Sequence, residues 1–263
     1  MKLSPLPFDE SFPERALIPY ETSTFDAGSV LVLAPHPDDE VFGCGAALAS
    51  LLDRGARVTV LVLTDGAAHE ADPEERRRIS EMRLAESRSA LAALGGGSVV
   101  PAGFEDRSLR ASVAAVEREV AARLVALQPD LVFVPSPVEI HPDHRALADA
   151  FLAVARRPAS EPSARALQHA TVAFYEVSQP IRPNFLFDAS PYLERKERAM
   201  AAFASQNAGR DYPDFVSGMM VYRRMTLPRS VAAAEGFFVV AGSALGSGQE
   251  VLVRSLGPEM PPA

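Results

Sequence analysis

The chain has 263 residues, 48% hydrophobic and 23% charged, which is enough for a sizeable core in one large α/β domain or two small ones. A net charge of −8 with a pI near 5.2 leaves no basic footprint, which argues against a nucleic acid or an anionic membrane surface as partner. The single cysteine, Cys44, excludes an intrachain disulfide and a multi-cysteine zinc site, and no apolar run approaches the roughly 18 residues that span a bilayer.

Residues 1–29 read as an irregular arm, because Pro5, Pro7, Pro13 and Pro19 prevent long regular structure. The arm has no apolar segment of the signal-peptide type, so the expected compartment is the cytoplasm. Residues 30–34 form a first strand, apolar throughout as a parallel strand covered on both faces should be. It ends abruptly in His36-Pro37-Asp38-Asp39-Glu40, a tight turn held between two prolines, and a helix follows over 43–53 with Gly55 as its C-terminal cap. Val58 to Leu63 is a second buried strand, again ending in polar residues, Thr64-Asp65-Gly66.

Pro73 opens a long charged helix stopped by Gly95-Gly96-Gly97. Its acids and arginines read as a solvated face of ion pairs, with Ala85, Ala90, Leu91 and Leu94 on the apolar side. A short strand at Val99-Val100 leads to a loop, Gly103 to Asp106, and then to a helix over 109–127. Leu131 to Val134 is a strand, followed by Glu139-Ile140-His141-Pro142-Asp143-His144 and an alanine-rich helix to Arg156. Beyond a loop at 157–164 come a strand at Thr171–Val177, a helix over 191–204, and a strand around Phe237–Val240 with a tail. The alternation of strand and helix predicts an α/β, Rossmann-like fold with a mainly parallel sheet and helices on both faces. Residues 30–263 form a single domain, with a smaller C-terminal extension from about 178.

Two polar clusters stand at the C-terminal ends of apolar strands, where open α/β sheets carry their sites. If the strands at 30–34 and 131–134 are close in the sheet, their loops bring His36, Asp39 and His144 together. Two imidazoles and a carboxylate suit a catalytic Zn²⁺, with an open position left for water. Fe²⁺ also fits the set. Metal lowers the pKa of bound water toward about 7, which makes hydroxide available at neutral pH. Asp38 leaves the backbone in another direction than Asp39 and is placed to take the water's proton as general base. His141, when protonated, would stabilise an oxyanion and protonate a leaving amine, and Asp143 would orient an imidazole, most readily that of His141.

Ala34-Pro35-His36-Pro37-Asp38-Asp39-Glu40, paired with His141-Pro142-Asp143-His144, resembles the LmbE/PIG-L family of N-acetylglucosaminyl deacetylases. Further matches are Leu63 to Gly66, Arg83 with Glu86 and Leu94-Gly95, Lys196 with Ser205-Gln206, and Glu235 with Phe237, so the similarity covers most of residues 30–240. The resemblance implies that His36, Asp39 and His144 hold a divalent metal, usually zinc. It makes Asp38 the general base and His141 the electrophilic and acid partner, oriented by Asp143. It also implies that Arg83 and Asp106 contact the substrate. Two departures bear on that substrate: Ala67 stands where several members have glutamate, and Glu139-Ile140 where some have an aromatic residue.

The function implied is metal-dependent removal of an N-acetyl group from an N-acetylglucosamine-type sugar or conjugate. The partner expected is that small amino-sugar substrate; the sequence leaves a homo-oligomer open. Rival readings are an Fe²⁺ oxygenase on the same ligand set, a non-catalytic sugar- or nucleotide-binding module, and, within the same chemistry, an amidase acting on another N-acyl sugar or thiol conjugate. The second is weakened by the absence of a Gly-x-Gly-x-x-Gly after the first strand. Among the remaining residues, Cys44 reads as a small buried residue, His69 as a loop residue that could border the site, and His169, Lys196 and Gln206 as structural. Tyr175-Glu176 reads equally as pocket wall or core.

Overall fold

Strand β1 (Ser29–Ala34) is buried at every position, and its alternate residues feed two separate cores. Val30, Val32 and Ala34 belong to one and Leu31 and Leu33 to the other, which is why the run is apolar without interruption. The computed structural model describes residues 13–68 and 70–245. Strand β1 pairs in parallel with β2 (Arg57–Thr64) on one side and β4 (Leu131–Pro135) on the other. β3 (Ser98–Phe104) adds to β2 and β5 (Thr171–Tyr175) to β4, also in parallel. β6 (Phe185–Asp188) and β7 (Ala234–Ala241) complete the order β3-β2-β1-β4-β5-β7-β6, with β7 antiparallel to both of its neighbours.

Helices α1 (Asp39–Asp53) and α2 (Pro73–Leu94) cover one face of the sheet, and α3 (Val113–Leu127), α4 (Pro142–Ala155) and α5 (Pro162–Leu167) the other. The first face also carries α6 (Leu193–Ala201), the short α7 (Ala204–Asn207) and α8 (Tyr212–Arg223). The fold is therefore α/β with a mainly parallel sheet. The chain runs outward from β1 through β2 to β3, then crosses to β4 and β5 on the other side. Strand order reverses between β1 and β4, so the loops after these two strands diverge and leave a crevice at their C-terminal ends.

Several elements differ from the pattern reading. Helix α1 begins at Asp39, so Asp39 and Glu40 are its first turn and not part of a preceding tight turn. The helix is interrupted at Cys44 (φ −142°, ψ 21°), and Gly43 allows the close approach of Tyr175, whose ring carbon would stand 2.3 Å from a Cβ at that position. β3 is seven residues long and takes in Gly103 and Phe104, the third helix starts at Val113, and a helix starts at Pro162 within the segment expected to be loop. The helix expected over 191–204 breaks after Ala201. β6 and α8 were not legible: β6 has only four residues, and α8 buries only Val216, Met220 and Arg223. No helix among the described residues is long and apolar enough to cross a membrane.

Candidate metal centre

The loop between β1 and α1 places Asp38 in a backbone conformation that L-residues rarely adopt, with φ 147° and ψ −30°. Such strain costs of order 1–3 kcal/mol and persists only where the surroundings enforce it. Here the Asp38 N–H donates to Glu40 Oε2 at 3.0 Å, and Ser87 of α2 donates to Glu40 Oε1 at 2.8 Å. Glu40 is fully buried, and burial pushes its carboxyl up to about 7 against the hydrogen bond from Ser87. The residue without an assigned role thus ties the strained peptide to α2.

Asp39, in the first turn of α1, faces the loop after β4. Its Oδ2 lies 3.1 Å from His36 Nδ1 and 3.2 Å from His144 Nε2, and those two nitrogens are 3.3 Å apart. A triangle of three acceptor-capable atoms at these spacings is poorly served by protons, because each proton satisfies one edge. Ligands 2.0–2.1 Å from a tetrahedrally coordinated cation stand roughly 3.3–3.4 Å from one another, close to the edges of this triangle. Two overlapping donor sets also converge within 4.8 Å: His36, His141 and His144, and His36, Asp106 and Asp143.

The electrostatics of the cluster favour positive charge. Burial opposes ionisation of Asp39, yet the imidazoles of His144 and His36 hold its carboxyl well below the usual carboxylate range. Burial opposes protonation of His36, yet Asp106, Asp143 and Asp39 raise its pKa well above the ordinary value. Among the described residues, buried His144 Nδ1 lacks a hydrogen-bond partner, and buried His36 Nε2 and Asp106 Oδ1 face only each other, 3.2 Å apart without hydrogen-bond geometry. The residues present fit a divalent cation.

Asp38 lies beside this triangle. Burial pushes its carboxyl up to about 7, with Arg83 drawing it down and Asp39 pushing it up. Arg83 of α2 is itself buried. It donates to Asp38 Oδ2 and the Pro37 carbonyl, both at 3.0 Å, and to the Gly66 carbonyl at 2.6 Å. Gly66, at φ 64°, lies so close that a Cβ there would stand 2.3 Å from the guanidinium. Arg83 borders the cleft, and its buried Nε has no hydrogen-bond partner among the described residues. Asp106 faces the cleft, 3.2 Å from His36 Nε2.

Burial, reinforced by His36 and His144, pushes the His141 imidazole down to about 4. Its Nδ1 accepts from the Asp143 backbone N–H at 3.2 Å, which puts the proton of the neutral ring on Nε2. The Asp143 carboxylate accepts from the N–H groups of Arg107 at 2.6 Å and Leu109 at 3.2 Å, and its Oδ2 lies 3.5 Å from His36 Nε2.

An open cleft of about 440 Å³ lies over the cluster. His36, Asp38, His141 and His144 are on its floor, and Phe42, Gln206 and Tyr212 on one wall. The rings of Phe42 and Tyr212 pack with centroids 5.9 Å apart. Gln206, expected to be structural, borders the cleft; Glu86 fixes its segment by accepting from the Ser205 N–H and hydroxyl at 2.9 and 2.6 Å. Cys44 is fully buried and burial pushes its thiol up, so it is no nucleophile. His169 is exposed, Tyr175 is core, and His69 lies outside the described residues. Pattern reading missed Tyr212 and Ser87. The signal for Ser87 was available: Arg83, Ser87, Ala90, Leu91 and Leu94 form one helical stripe, and its polar members are as buried as its apolar ones.

A diacetylchitobiose deacetylase from Thermococcus kodakarensis is 31% identical over 193 residues, covering 69% of this chain and 71% of the relative. A probable N-acetyl-alpha-D-glucosaminyl L-malate deacetylase 2 from Bacillus cereus is 30% identical over 186 residues, covering 67% and 83%. The solved N,N'-diacetylchitobiose deacetylase from Pyrococcus horikoshii superposes with a TM-score of 0.69 at 25% identity, covering 89% of this chain and 88% of that one. The GlcNAc-PI de-N-acetylase family profile matches residues 31–155, the segment from β1 to the end of α4 that carries both polar clusters, and the chain belongs to this PIG-L (LmbE) family of deacetylases.

Proposed function

We propose that the protein hydrolyses the N-acetyl group of an N-acetylglucosamine-type sugar or conjugate, with a divalent cation held by His36, Asp39 and His144. The observation that carries this reading is the triangle of Nδ1, Oδ2 and Nε2 with edges of 3.1–3.3 Å beneath the cleft. A cation bound there would act as a Lewis acid and make water a competent nucleophile at neutral pH, with zinc the first choice for two imidazoles and a carboxylate.

The chain's own groups supply the rest. Asp38, with a carboxyl poised near 7, takes the proton of the attacking water and passes it to the leaving amine. The Nε2–H of neutral His141 donates to the oxygen that gains charge as water adds to the amide carbon. The wall of Phe42 and Tyr212 offers an apolar surface to a sugar ring face, and the Gln206 amide and Tyr212 hydroxyl stand ready for its hydroxyls. Acetate release from N-acetylglucosamine and its conjugates should disappear on chelation, return with added divalent metal, and fall by 10²–10⁴-fold in Asp38→Ala. Full activity after metal stripping, or in the Asp38 variant, refutes the reading.

A further inference from the structure

His144 presents one nitrogen to the triangle and the other to a buried acid. Its Nδ1 has no hydrogen bond and lies 3.7 Å from Glu139 Oε2. Glu139 is fully buried, and its donors all come from the turn after β5. Val177 N–H donates to Oε1 at 2.6 Å, and the Ser178 N–H and hydroxyl donate to Oε2 at 3.1 and 2.5 Å. Arg145 fastens the backbone of the same segment, donating to the Glu139 and Ile140 carbonyls at 2.7 and 2.6 Å. The carboxylate is thus held by one wall of the cleft and aimed at the back of a proposed metal ligand.

We infer that Glu139 is the positioning residue for His144: its carboxylate accepts the Nδ1–H, fixes that tautomer, and leaves Nε2 free to bind the cation. This rests on the proposed function, which makes His144 a ligand. A charge-assisted hydrogen bond spans about 2.7–2.9 Å, so closing the contact needs a movement of roughly 1 Å. Imidazoles that bind metal commonly give their second N–H to a carboxylate, and loss of such a partner weakens metal binding about 10–100-fold. The geometry also joins metal to substrate wall, because Val177 and Ser178 border the cleft and hang on the same carboxylate.

The test is zinc affinity by chelator competition in wild type, Glu139→Gln and Ser178→Ala. Glu139→Gln keeps the size and an acceptor for the turn but removes the anion facing His144, and it should bind zinc 10–100-fold more weakly. Ser178→Ala removes one donor from the same carboxylate but keeps the anion facing Nδ1, so its affinity should fall less than that of Glu139→Gln. In zinc-loaded wild type, nitrogen-15 NMR of the histidines should show His144 coordinated through Nε2 and protonated at Nδ1. That measurement stands even if Glu139→Gln does not fold. Equal affinity in Glu139→Gln, or coordination through Nδ1, overturns the inference and leaves the deacetylase reading intact. Wild type that binds no zinc or other divalent metal overturns both.

Discussion

Arg83→Met separates two roles for one arginine. The guanidinium is buried and pairs with Asp38 at 3.0 Å, and Met keeps most of its stem while removing the charge. Two unit charges ~4 Å apart attract by about 4 kcal/mol at an effective dielectric constant of 20. At 1.36 kcal/mol per pKa unit, that is a ceiling of about 3 units on the rise of the Asp38 pKa; relaxation and penetrating water leave an expected rise of about 1–2 units. The direction follows from the pair: the arginine favours the charged carboxylate, so its loss favours the proton. A base must be unprotonated, so the acidic limb of kcat/KM should move to higher pH by that amount, and the rate at pH 7 should fall about 5- to 50-fold. The Pro37 and Gly66 carbonyls also lose their donor, so some stability is lost, at about 1 kcal/mol for each bond. The assay is the pH profile of acetate release on metal-loaded protein whose fold is checked by circular dichroism. If the limb stays in place while KM rises, Arg83 acts on substrate and the structural assignment is refuted.

Two further predictions follow from other parts of the site. Lys196→Met leaves Glu235 buried without its 2.7 Å partner, although Glu235 still accepts the N–H groups of Ala46 and Ala47. Such a broken buried pair costs about 3–5 kcal/mol, readable in urea unfolding of the metal-free protein, and a loss well under 1 kcal/mol would show that the pair does not hold the interrupted α1 together. Gln206→Ala and Tyr212→Phe should raise KM for N-acetylglucosamine conjugates with little change in kcat, because these groups line the cleft and take no part in the proposed proton transfers; an unchanged KM in both would remove the α7–α8 wall from substrate binding.

The sheet was legible because burial on both faces writes itself into sequence. β1, β2 and β4 are short, nearly unbroken apolar runs, and each ends where the chain turns polar at the crevice. The smaller elements beyond β5 carried no such signal. β6 has four residues and borrows its core contacts from Phe25 of the arm, whose ring stacks on Phe185 at 4.3 Å, a pairing between positions 160 apart that no local pattern encodes. The helix at Pro162 starts with a proline that also fits a loop, and only the tertiary setting decides between them.

Within the site, residue identity was easier to read than the direction in which each residue acts. Spacing brought His36, Asp39 and His144 together as candidates because strand ends converge at a switch point, which is a property of topology. Which group serves which depends on orientations that spacing does not fix. Asp143 has the right chemistry to hold His141, but its side chain turns to the Arg107 and Leu109 amides, and only its backbone N–H meets the imidazole. Arg83 has the charge to meet a substrate, yet its Nη donors go to Asp38, Pro37 and Gly66. In both cases a polar side chain is claimed by unsatisfied groups inside the protein, and in a buried site those claims come first because an unpaired buried donor or acceptor costs more than a solvated one. The same reasoning gives Glu40 its place. A carboxylate buried two residues after a strained aspartate accepts that residue's N–H, so the strain at Asp38 is held by Glu40 and Ser87 and not by any substrate.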